Sequence, residues 1–261
     1  MPERALLEEP PAAAADLPDR GDVEERAAAG GAEKREYVQH IFSEIAPRYD
    51  LLNHLLSFNI DKRWRRKALE VLQWTRAPGG RYVDLCAGTL DVAAELSRRP
   101  GFHGVVLGAD FAEPMLRAGR GKAPGDTVVP VVADALALPL RDGESDGAIV
   151  AFGIRNVANL DDCLREVHRV LAPGARFVIL EFTTPRWRLV RWGYHAYFHH
   201  VLPLIGGVIS GHRTAYRYLP KSVAHFPGER ALARRMMDAG FHGVGYRTLT
   251  LGIAAIHWGE K

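Results

Sequence analysis

Hydrophobic residues along the chain follow two spacings, one typical of strands and one typical of helices. Short apolar runs end in small or acidic residues, and stretches follow in which apolar side chains recur every three or four positions. The runs predict five strands and a closing hairpin, at residues 81–85, 104–109, 128–132, 146–152, 176–182 and 246–249 with 253–258. This alternation predicts an α/β fold, with a mostly parallel sheet that helices cover on both faces.

Two further segments depart from this pattern, one at the start of the chain and one late in it. Residues 1–34 have almost no large apolar side chains and are typical of a disordered tail, so residues 35–261 are expected to form a single domain that opens with N-terminal helices. Residues 183–227 form a late insertion, and its stretch from Trp192 to His212 lacks Asp, Glu, Lys and Arg. Its proline, glycines and histidines argue against a membrane span. We expect an apolar lid insertion of two broken helices above a greasy substrate.

Composition narrows the class of protein. The chain has 261 residues, of which 47% are hydrophobic and 25% charged, as in soluble globular proteins. A net charge of +3 without a basic stripe gives no reason to expect nucleic acid. The two cysteines, Cys86 and Cys163, have neither a disulfide framework nor zinc-ligand spacing. The tail resembles neither a secretory signal nor a transit peptide, so we expect a cytoplasmic protein without a metal.

A basic helix is predicted at residues 62–74. It carries Arg63, Arg65, Arg66 and Lys67 beside apolar positions that face a core. These cations suit a solvated helix face, and they equally suit anionic lipid headgroups in a peripheral membrane contact.

The first strand ends in a turn that carries the first chemical signal. Asp84 lies in the strand, and Gly88, Thr89 and Asp91 follow it before a helix begins. A pyrophosphate would need bare backbone N–H groups and a positive helix end, and acids are unsuited to that role. Acids at a strand tip suit a cationic, hydroxyl-rich ligand. S-adenosylmethionine, with its ammonium, sulfonium and ribose, is such a ligand.

The second and third strands end in acids as well. Asp110 ends the second strand, where an acid holds the ribose hydroxyls in such folds, although it also suits a helix N-cap. Asp134 and Ala135 follow the third strand and are placed to read an adenine edge. Because carboxyl ends of parallel strands meet at one edge of the sheet, we expect these residues to share one site.

Several motifs in order resemble one family. They are Phe-Ser-Glu-Ile-Ala-Pro-Arg-Tyr-Asp-Leu-Leu-Asn at 42–53, Ala-Gly-Thr-Leu-Asp at 87–91, Phe-Gly-Ile-Arg-Asn-Val at 152–157, Arg-Val-Leu-Ala-Pro-Gly at 169–174, Leu-Glu-Phe at 180–182 and Tyr-Arg-Tyr-Leu at 216–219. Together they resemble the demethylmenaquinone methyltransferases, quinone-biosynthesis C-methyltransferases among the class I S-adenosylmethionine-dependent enzymes. The resemblance covers about residues 37–261. It implies a Rossmann-like class I methyltransferase fold.

The resemblance also implies a cofactor and a substrate. Thr89 and Asp110 would bind S-adenosyl-L-methionine, with Asp134 and Ala135 at its adenine. The substrate would be a prenylated quinol, with demethylmenaquinol converted to menaquinol, and the same motifs leave a benzoquinol open. Such an enzyme would work in the cytoplasm or at the inner face of the membrane.

The fourth strand leads to the candidate catalytic residues. Methyl transfer to an electron-rich hydroquinone carbon is mainly a matter of positioning. Arg155 and Asn156 follow that strand, where Asn156 would orient a ring hydroxyl and Arg155 would stabilise the phenolate or help to remove its proton. The alternative for Arg155 is an ion pair with Asp50 or Asp91 that braces the pocket. Further candidates for substrate contact are Tyr49, Asp50 and Tyr197.

The cofactor turn departs from the family pattern. That turn usually reads Gly-Gly-Thr-Gly-Asp, and here Ala87 and Leu90 replace two of the glycines. We expect Leu90 to have an ordinary φ in the first helical turn.

Three other functions are weighed against this one. An amine-methylating enzyme usually has Asn/Asp-Pro-Pro-aromatic after the fourth strand, and Phe152-Gly153-Ile154 occupies that place. A nicotinamide-dependent dehydrogenase would need G-x-G-x-x-G in the first turn, where this chain has Gly88 alone. A non-catalytic partner protein would keep the fold and lose cofactor binding.

Overall fold

Seven strands form one sheet in the described part of the protein. The computed structural model describes residues 31–46, 49, 57, 59–123, 125–185, 187–197 and 213–261. The strands are β1 (Arg81–Leu85), β2 (Val105–Asp110), β3 (Val128–Val132), β4 (Ser145–Ala151), β5 (Leu171–Phe182), β6 (His242–Leu249) and β7 (Ala254–Glu260). Their order across the sheet is β3-β2-β1-β4-β5-β7-β6, and β7 runs in the opposite direction to the other six strands.

Helices cover both faces of this sheet. They are α1 (Ala32–Ile45), α2 (Ile60–Leu72), α3 (Asp91–Ser97), α4 (Glu113–Ala118), α5 (Leu160–Val170), α6 (Arg188–Ala196), α7 (Arg213–His225) and α8 (Glu229–Asp238). The Rossmann-like α/β prediction is therefore confirmed, with the strand order of a class I methyltransferase.

The pleat of β1 explains why both faces are covered. Successive strand side chains point to opposite sides, so a strand buried on both faces reads as a continuous apolar run. Val83 and Leu85 pack with Leu164 of α5 in one core cluster. Tyr82 packs with Leu69 of α2 in the other. All of these side chains are almost completely buried.

Several element boundaries differ from the predicted ones. Helix α1 begins at Ala32, inside the predicted tail, because short helix-forming residues there extend the helix without a large apolar side chain. Helix α2 runs from Ile60 to Leu72 and ends where Gln73 adopts a left-handed conformation, with φ of 56°. Strand β5 begins earlier than predicted, and its pairing with β4 is irregular near Ser145.

The late insertion contributes two described helices, α6 and α7. Residues 198–212 between them lie outside the described residues, as does the tail at 1–30. The predicted lid therefore stays a prediction. Within the described ranges, no helix is both long and apolar enough to cross a membrane.

The strand order places a crevice beside β1. From β1 the chain builds β2 and β3 on one side and then starts again with β4 on the other. Helices after β1 and β4 therefore lie on different sides, and their connecting loops separate at the carboxyl ends of the strands. Ligands of open α/β sheets bind at this position.

Candidate active site

The turn after β1 is tight and strained. Cys86, Gly88 and Leu90 have φ values of 49°, 51° and 63°. The left-handed region is open to glycine and costs other residues about 1–2 kcal/mol. Gly88 lacks a side chain where one would meet Met115 Cε at 3.4 Å and Tyr49 Cε1 at 3.9 Å. The turn therefore brings bare backbone to a wall formed by Met115 and Tyr49.

Leu90 corrects one prediction. It was expected to have an ordinary φ, but it is the N-cap of α3 and has φ of 63° and ψ of 23°. Its side chain is buried against Val92 and Val106. It fits because β2 has Gly108 opposite, where a Cβ would come within 2.4 Å of Leu90 Cδ2. Burial of the leucine side chain compensates for the unfavourable backbone conformation.

Asp84 lies behind the turn. Its carboxylate is 1% exposed and accepts a hydrogen bond of 3.0 Å from Ala93 N in the first turn of α3. Burial raises the pKa of Asp84 to about 7, while the Ala93 N–H and the nearby Arg65 oppose the rise. In this geometry Asp84 braces the start of α3 and lies apart from the cavity walls.

Asp110, by contrast, reaches the cavity. Its Oδ2 accepts from Gly88 N and its Oδ1 from Ala112 N, each at 2.8 Å. Burial raises its pKa, and the two N–H donors partly offset that rise. The carboxylate thus fixes the turn after β1 and keeps lone pairs for a ligand.

A cavity opens at the carboxyl ends of β1, β2 and β4. Its lining combines the predicted Gly88, Asp110, Asn156 and Tyr49 with apolar residues from four segments. The full lining is Val38, Phe42, Tyr49, Cys86, Gly88, Asp110, Phe111, Met115, Ala151, Phe152, Gly153 and Asn156. Residues from both sides of the strand switch therefore share one hollow.

The other predicted cofactor residues surround this cavity. Thr89 is buried within the turn. Asp134 accepts from Leu136 N at 3.0 Å and forms an ion pair with Arg35 of α1 at 3.3 Å. Ala135 is buried beside it, next to the end of β3. These residues lie at the same edge of the sheet as Asp110, outside the walls of the described cavity.

Arg155 and Asn156 lie in a short 3-10 turn after β4, at 154–156. Arg155 is 8% exposed, and its Nη1 donates to Glu181 Oε1 at 2.8 Å and to the carbonyl of Phe152. Of the two predicted alternative partners of Arg155, only Asp91 lies in the described part of the chain. Asp91 pairs instead with Arg65 at 2.7 Å and Lys122 at 2.6 Å, and Asp50 lies outside the described residues.

Asn156 is the member of this turn that lines the cavity. Its side chain is 5% exposed, and its Oδ1 has no hydrogen-bond partner among the described residues. A buried amide oxygen of this kind is unfavourable until a ligand donates to it. Asn156 is therefore suited to accept a hydrogen bond from a substrate hydroxyl.

A buried polar cluster, which sequence reasoning missed, surrounds Arg155. Its members are Lys34, Arg155, Glu181, Tyr194 and Tyr218. All of them are buried, and the charges of Arg155 and Glu181 influence each of the other three. The cluster has two cationic side chains and one carboxylate.

Burial dominates the protonation of this cluster. It lowers the pKa of Lys34 to about 8, with Arg155 adding to that effect and Glu181 opposing it. Burial also raises the pKa of Tyr218 to about 12. The sequence singled out Arg155 as a catalytic candidate, and Glu181 and Tyr218 lie in the family motifs, but nothing in the sequence indicated that they meet. Lys34 had no sequence signal, because it follows a tail that is rich in Ala and Glu.

Of the remaining substrate candidates, Tyr49 is among the residues that line the cavity and Tyr197 is not. Tyr49 lines the cavity and packs edge-on against Phe42, with 5.8 Å between ring centroids. Tyr197 follows α6 and is half-buried, and burial raises its pKa. It lies apart from the cavity walls.

The fold has known relatives among solved structures. A methyltransferase from Thermotoga maritima superposes with a TM-score of 0.60 at 20% identity, covering 85% of this chain and 98% of that one. Phosphoethanolamine N-methyltransferase 2 from Haemonchus contortus, in complex with S-adenosyl-L-methionine, has a TM-score of 0.54 at 13% identity, covering 75% and 52%. At these identities the likeness shows the fold alone.

Sequence relatives are much closer. A demethylmenaquinone methyltransferase from Thermus thermophilus is 52% identical over 85% of this chain and 100% of its own length. A ubiquinone/menaquinone biosynthesis C-methyltransferase from Geobacter sulfurreducens is 45% identical over 88% and 90%. The profile of the ubiE/COQ5 methyltransferase family matches residues 31–261. The chain therefore belongs to the ubiE/COQ5 methyltransferase family.

Proposed function

We propose that this protein transfers a methyl group from S-adenosyl-L-methionine to a ring carbon of a prenylated quinol, converting demethylmenaquinol to menaquinol. The observation that carries the proposal is the shared cavity, in which Asp110 and Asn156 line the same hollow. One residue comes from the β2 tip and the other from the turn after β4. A methyl donor and an acceptor ring need such adjoining sites. The names of the two sequence relatives support this choice of substrate.

The residues on the β1–β2 side fit the cofactor. We call Gly88, Asp110, Phe111 and Met115 the cofactor half of the cavity. Asp110 offers carboxylate lone pairs to ribose hydroxyls, and Gly88 leaves space that a Cβ would fill. Phe111 and Met115 supply apolar walls. When bound, the cofactor supplies a methyl group on a positively charged sulfur.

The opposite side suits an aromatic acceptor. We call Phe42, Tyr49, Phe152 and Asn156 the acceptor half of the cavity. Three aromatic side chains offer flat apolar surfaces to a quinol ring, and Asn156 has a buried acceptor oxygen for one ring hydroxyl. Fixing the ring against the donor supplies much of the acceleration in a reaction that depends on positioning.

The buried polar cluster would stabilise negative charge on the substrate and accept a proton from it. As the ring carbon forms its new bond to the methyl group, a quinol hydroxyl becomes more acidic. Its deprotonated form is the better nucleophile. Arg155, in the same 3-10 turn as Asn156, supplies positive charge that would stabilise a phenolate. The ring proton at the methylated carbon must leave to restore aromaticity. Lys34, with its lowered pKa, is the candidate acceptor through water.

We further infer that the reaction occurs at the inner face of the membrane, since a prenylated quinol carries a long apolar tail. The uncharged stretch from Trp192 to His212 supports this inference. The assays below also test two functions that the sequence analysis weighed against this one: a benzoquinol as the acceptor, and a non-catalytic partner protein.

A pair of variants tests the two halves of the cavity separately. Asp110→Ala should weaken S-adenosyl-L-methionine binding about 100-fold, because a hydrogen-bonding carboxylate is lost. Asn156→Ala should leave cofactor affinity unchanged and lower kcat about 100-fold, as loss of a polarising side chain does. Calorimetry measures the first effect and product formation from a short-chain demethylmenaquinol the second. Glu113→Ala, half-exposed on α4, is the matched control.

The same assays separate the competing functions. Absence of cofactor binding by the wild-type protein would identify a non-catalytic partner. Turnover of a demethoxy benzoquinol without turnover of the naphthoquinol would replace the proposed substrate. Equal losses of cofactor binding and turnover in Asn156→Ala would remove Asn156 from the acceptor half.

A further inference from the structure

Positive charge is concentrated in one stretch of the chain. Between Glu181 and Glu229 there is no Asp or Glu, and the stretch contains six basic residues: Arg186, Arg188, Arg191, Arg213, Arg217 and Lys221. The rest of the chain has 28 basic and 31 acidic residues. The insertion that holds α6 and α7 is thus strongly cationic, although the protein as a whole carries only a small net charge.

The same stretch begins with exposed apolar side chains. Trp187 and Trp192 are each 72% exposed, and Leu189 is 81% exposed. Arg188 lies among them and is exposed as well. Residues three or four positions apart lie on one side of a helix. The first turns of α6 therefore present tryptophan, leucine and arginine together to the outside.

Another side of α6 faces the buried polar cluster. Tyr194, on the same helix, is buried and belongs to the buried polar cluster, where the charges of Arg155 and Glu181 influence its pKa. An α-helix with its side chains is about 10 Å across. The width of one helix therefore separates the exposed side chains of α6 from the buried polar cluster.

We propose that Trp187, Arg188, Leu189 and Trp192 form a docking surface for an anionic lipid bilayer. Tryptophan is enriched at the membrane interface, where its ring meets both headgroups and acyl chains. Arginines beside it attract anionic headgroups. The proposal rests on the proposed function in one respect: docking through α6 lets the prenyl tail stay in lipid while the ring reaches the cavity.

Charge also decides between possible occupants of this surface. A second copy of the chain, docked by a two-fold axis, would bring the same cationic stretch against itself. A bilayer with anionic lipids brings the opposite charge. Helix α2, the other basic helix, is less suited to the role. Its Arg65 is engaged by Asp61 and Asp91, and its one large exposed apolar residue is Ile60, at 36%.

Cosedimentation of the full-length protein with vesicles tests the surface. We compare phosphatidylcholine vesicles with vesicles that also contain phosphatidylglycerol. The wild type should bind the anionic vesicles and lose affinity as salt rises. Arg188→Glu should weaken binding about fivefold or more, since each surface cation contributes a factor of that size. Trp187→Ala with Trp192→Ala should weaken it about tenfold. Met237→Ala with Arg234→Glu on α8, an exposed apolar and basic pair, should match the wild type.

Several results would overturn the docking surface. One is that the wild-type protein does not bind anionic vesicles, and another is that the tryptophan variants bind vesicles as well as the α8 control does. A third is that the wild type forms a dimer, which the tryptophan substitutions dissociate, and does not bind vesicles. Thermal unfolding confirms that each variant is folded.

Turnover separates this proposal from the proposed function. The tryptophan variant should methylate a short-chain quinol in solution normally and lose turnover on a long-chain quinol in vesicles. Retained turnover on both substrates, with unchanged vesicle binding, refutes the surface alone. Absence of methylation with either quinol, while vesicle binding still depends on α6, refutes the proposed function and leaves the surface standing.

Discussion

The cofactor half and the acceptor half of the cavity are built in different ways. In the cofactor half, the Asp110 carboxylate is held by N–H groups of Gly88 and Ala112, so a single strand–turn–helix–strand unit fixes it. In the acceptor half, Asn156 lies beside a cluster drawn from distant parts of the chain, including Lys34 and Tyr218. The first half forms with the sheet. The second requires α1, α6 and α7 to pack on it.

This difference predicts that the acceptor half is the more vulnerable of the two. The buried polar cluster beside the acceptor half contains the buried ion pair between Arg155 and Glu181. Glu181 also accepts from Phe182 N at 2.9 Å, so the carboxylate joins the turn after β4 to the end of β5.

Removal of Glu181 should have the largest effect. Glu181→Leu leaves the Arg155 guanidinium buried and unpaired, which typically costs about 3–5 kcal/mol of unfolding free energy. Arg155→Met combined with Glu181→Leu should regain most of that stability, because the two opposite charges of the pair are removed together. Denaturant unfolding measures both. Asp161→Ala, which breaks a half-exposed ion pair with Arg235, serves as the control and should cost less than about 1 kcal/mol.

Activity sharpens this first test. If Arg155 only braces the turn, the stable double variant should keep its turnover of quinol. If its positive charge stabilises a phenolate, turnover should stay low although the protein is folded and binds cofactor. A double variant as unstable as Glu181→Leu would show that the pair is not an isolated buried charge interaction.

Asp84 provides the second test, in the cofactor half. Burial raises its pKa in the folded protein to about 7, whereas a free aspartate has a pKa of about 3.9. The pKa of Asp84 is higher in the folded protein than in the unfolded chain, so the folded state binds the proton more tightly. The contribution of Asp84 to the free energy of unfolding is therefore complete below about pH 4 and is lost as the pH rises from about 4 to 7. Asp84→Asn removes this titration and leaves an oxygen to accept from Ala93 N.

The stability of Asp84→Asn relative to the wild type should therefore rise by about 2–3 kcal/mol between pH 5 and 7.5. Unfolding in denaturant across this pH range measures the difference. A constant difference at every pH would mean that Asp84 is already ionised in the folded protein. Saturating S-adenosyl-L-methionine should not abolish the trend if Asp84 braces α3 without touching the ligand.

The sequence singled out Gly88 and Asp110 in the cofactor half and Tyr49 and Asn156 in the acceptor half, but it missed the buried polar cluster, for a physical reason. Parallel strands end at one edge, so acids at strand tips such as Asp110 are local signals with a fixed destination. Lys34 reaches the cluster through the packing of α1, which no local pattern records. The partner of Arg155 was also missed, since an ion pair across neighbouring strands depends on register. The fourth strand and the family resemblance singled out Asn156 in the sequence. The structure adds a physical reason, because the buried Oδ1 of Asn156 has no hydrogen-bond partner among the described residues.

The conformation of Leu90, in the turn after β1, was missed as well. The sequence shows a leucine where the family has glycine, and propensity alone favours an ordinary helical φ. The left-handed conformation is tolerated because the side chain fills space above Gly108 on β2. The two positions should therefore be coupled, and that coupling is the smallest effect we predict.

Gly108→Ala places a methyl group against Leu90 Cδ2 and should destabilise the protein by about 1–3 kcal/mol, as overpacking does. Leu90→Gly loses buried apolar surface but relieves a left-handed leucine, so its net cost should be about 1–2 kcal/mol. In the double variant the new methyl group occupies part of the vacated space. The double-mutant cycle should give a favourable coupling of about 1 kcal/mol, measured by denaturant unfolding. Strict additivity would mean that Leu90 moves away without strain when β2 gains a side chain, and the turn after β1 would then be more adaptable than the rest of the cofactor half.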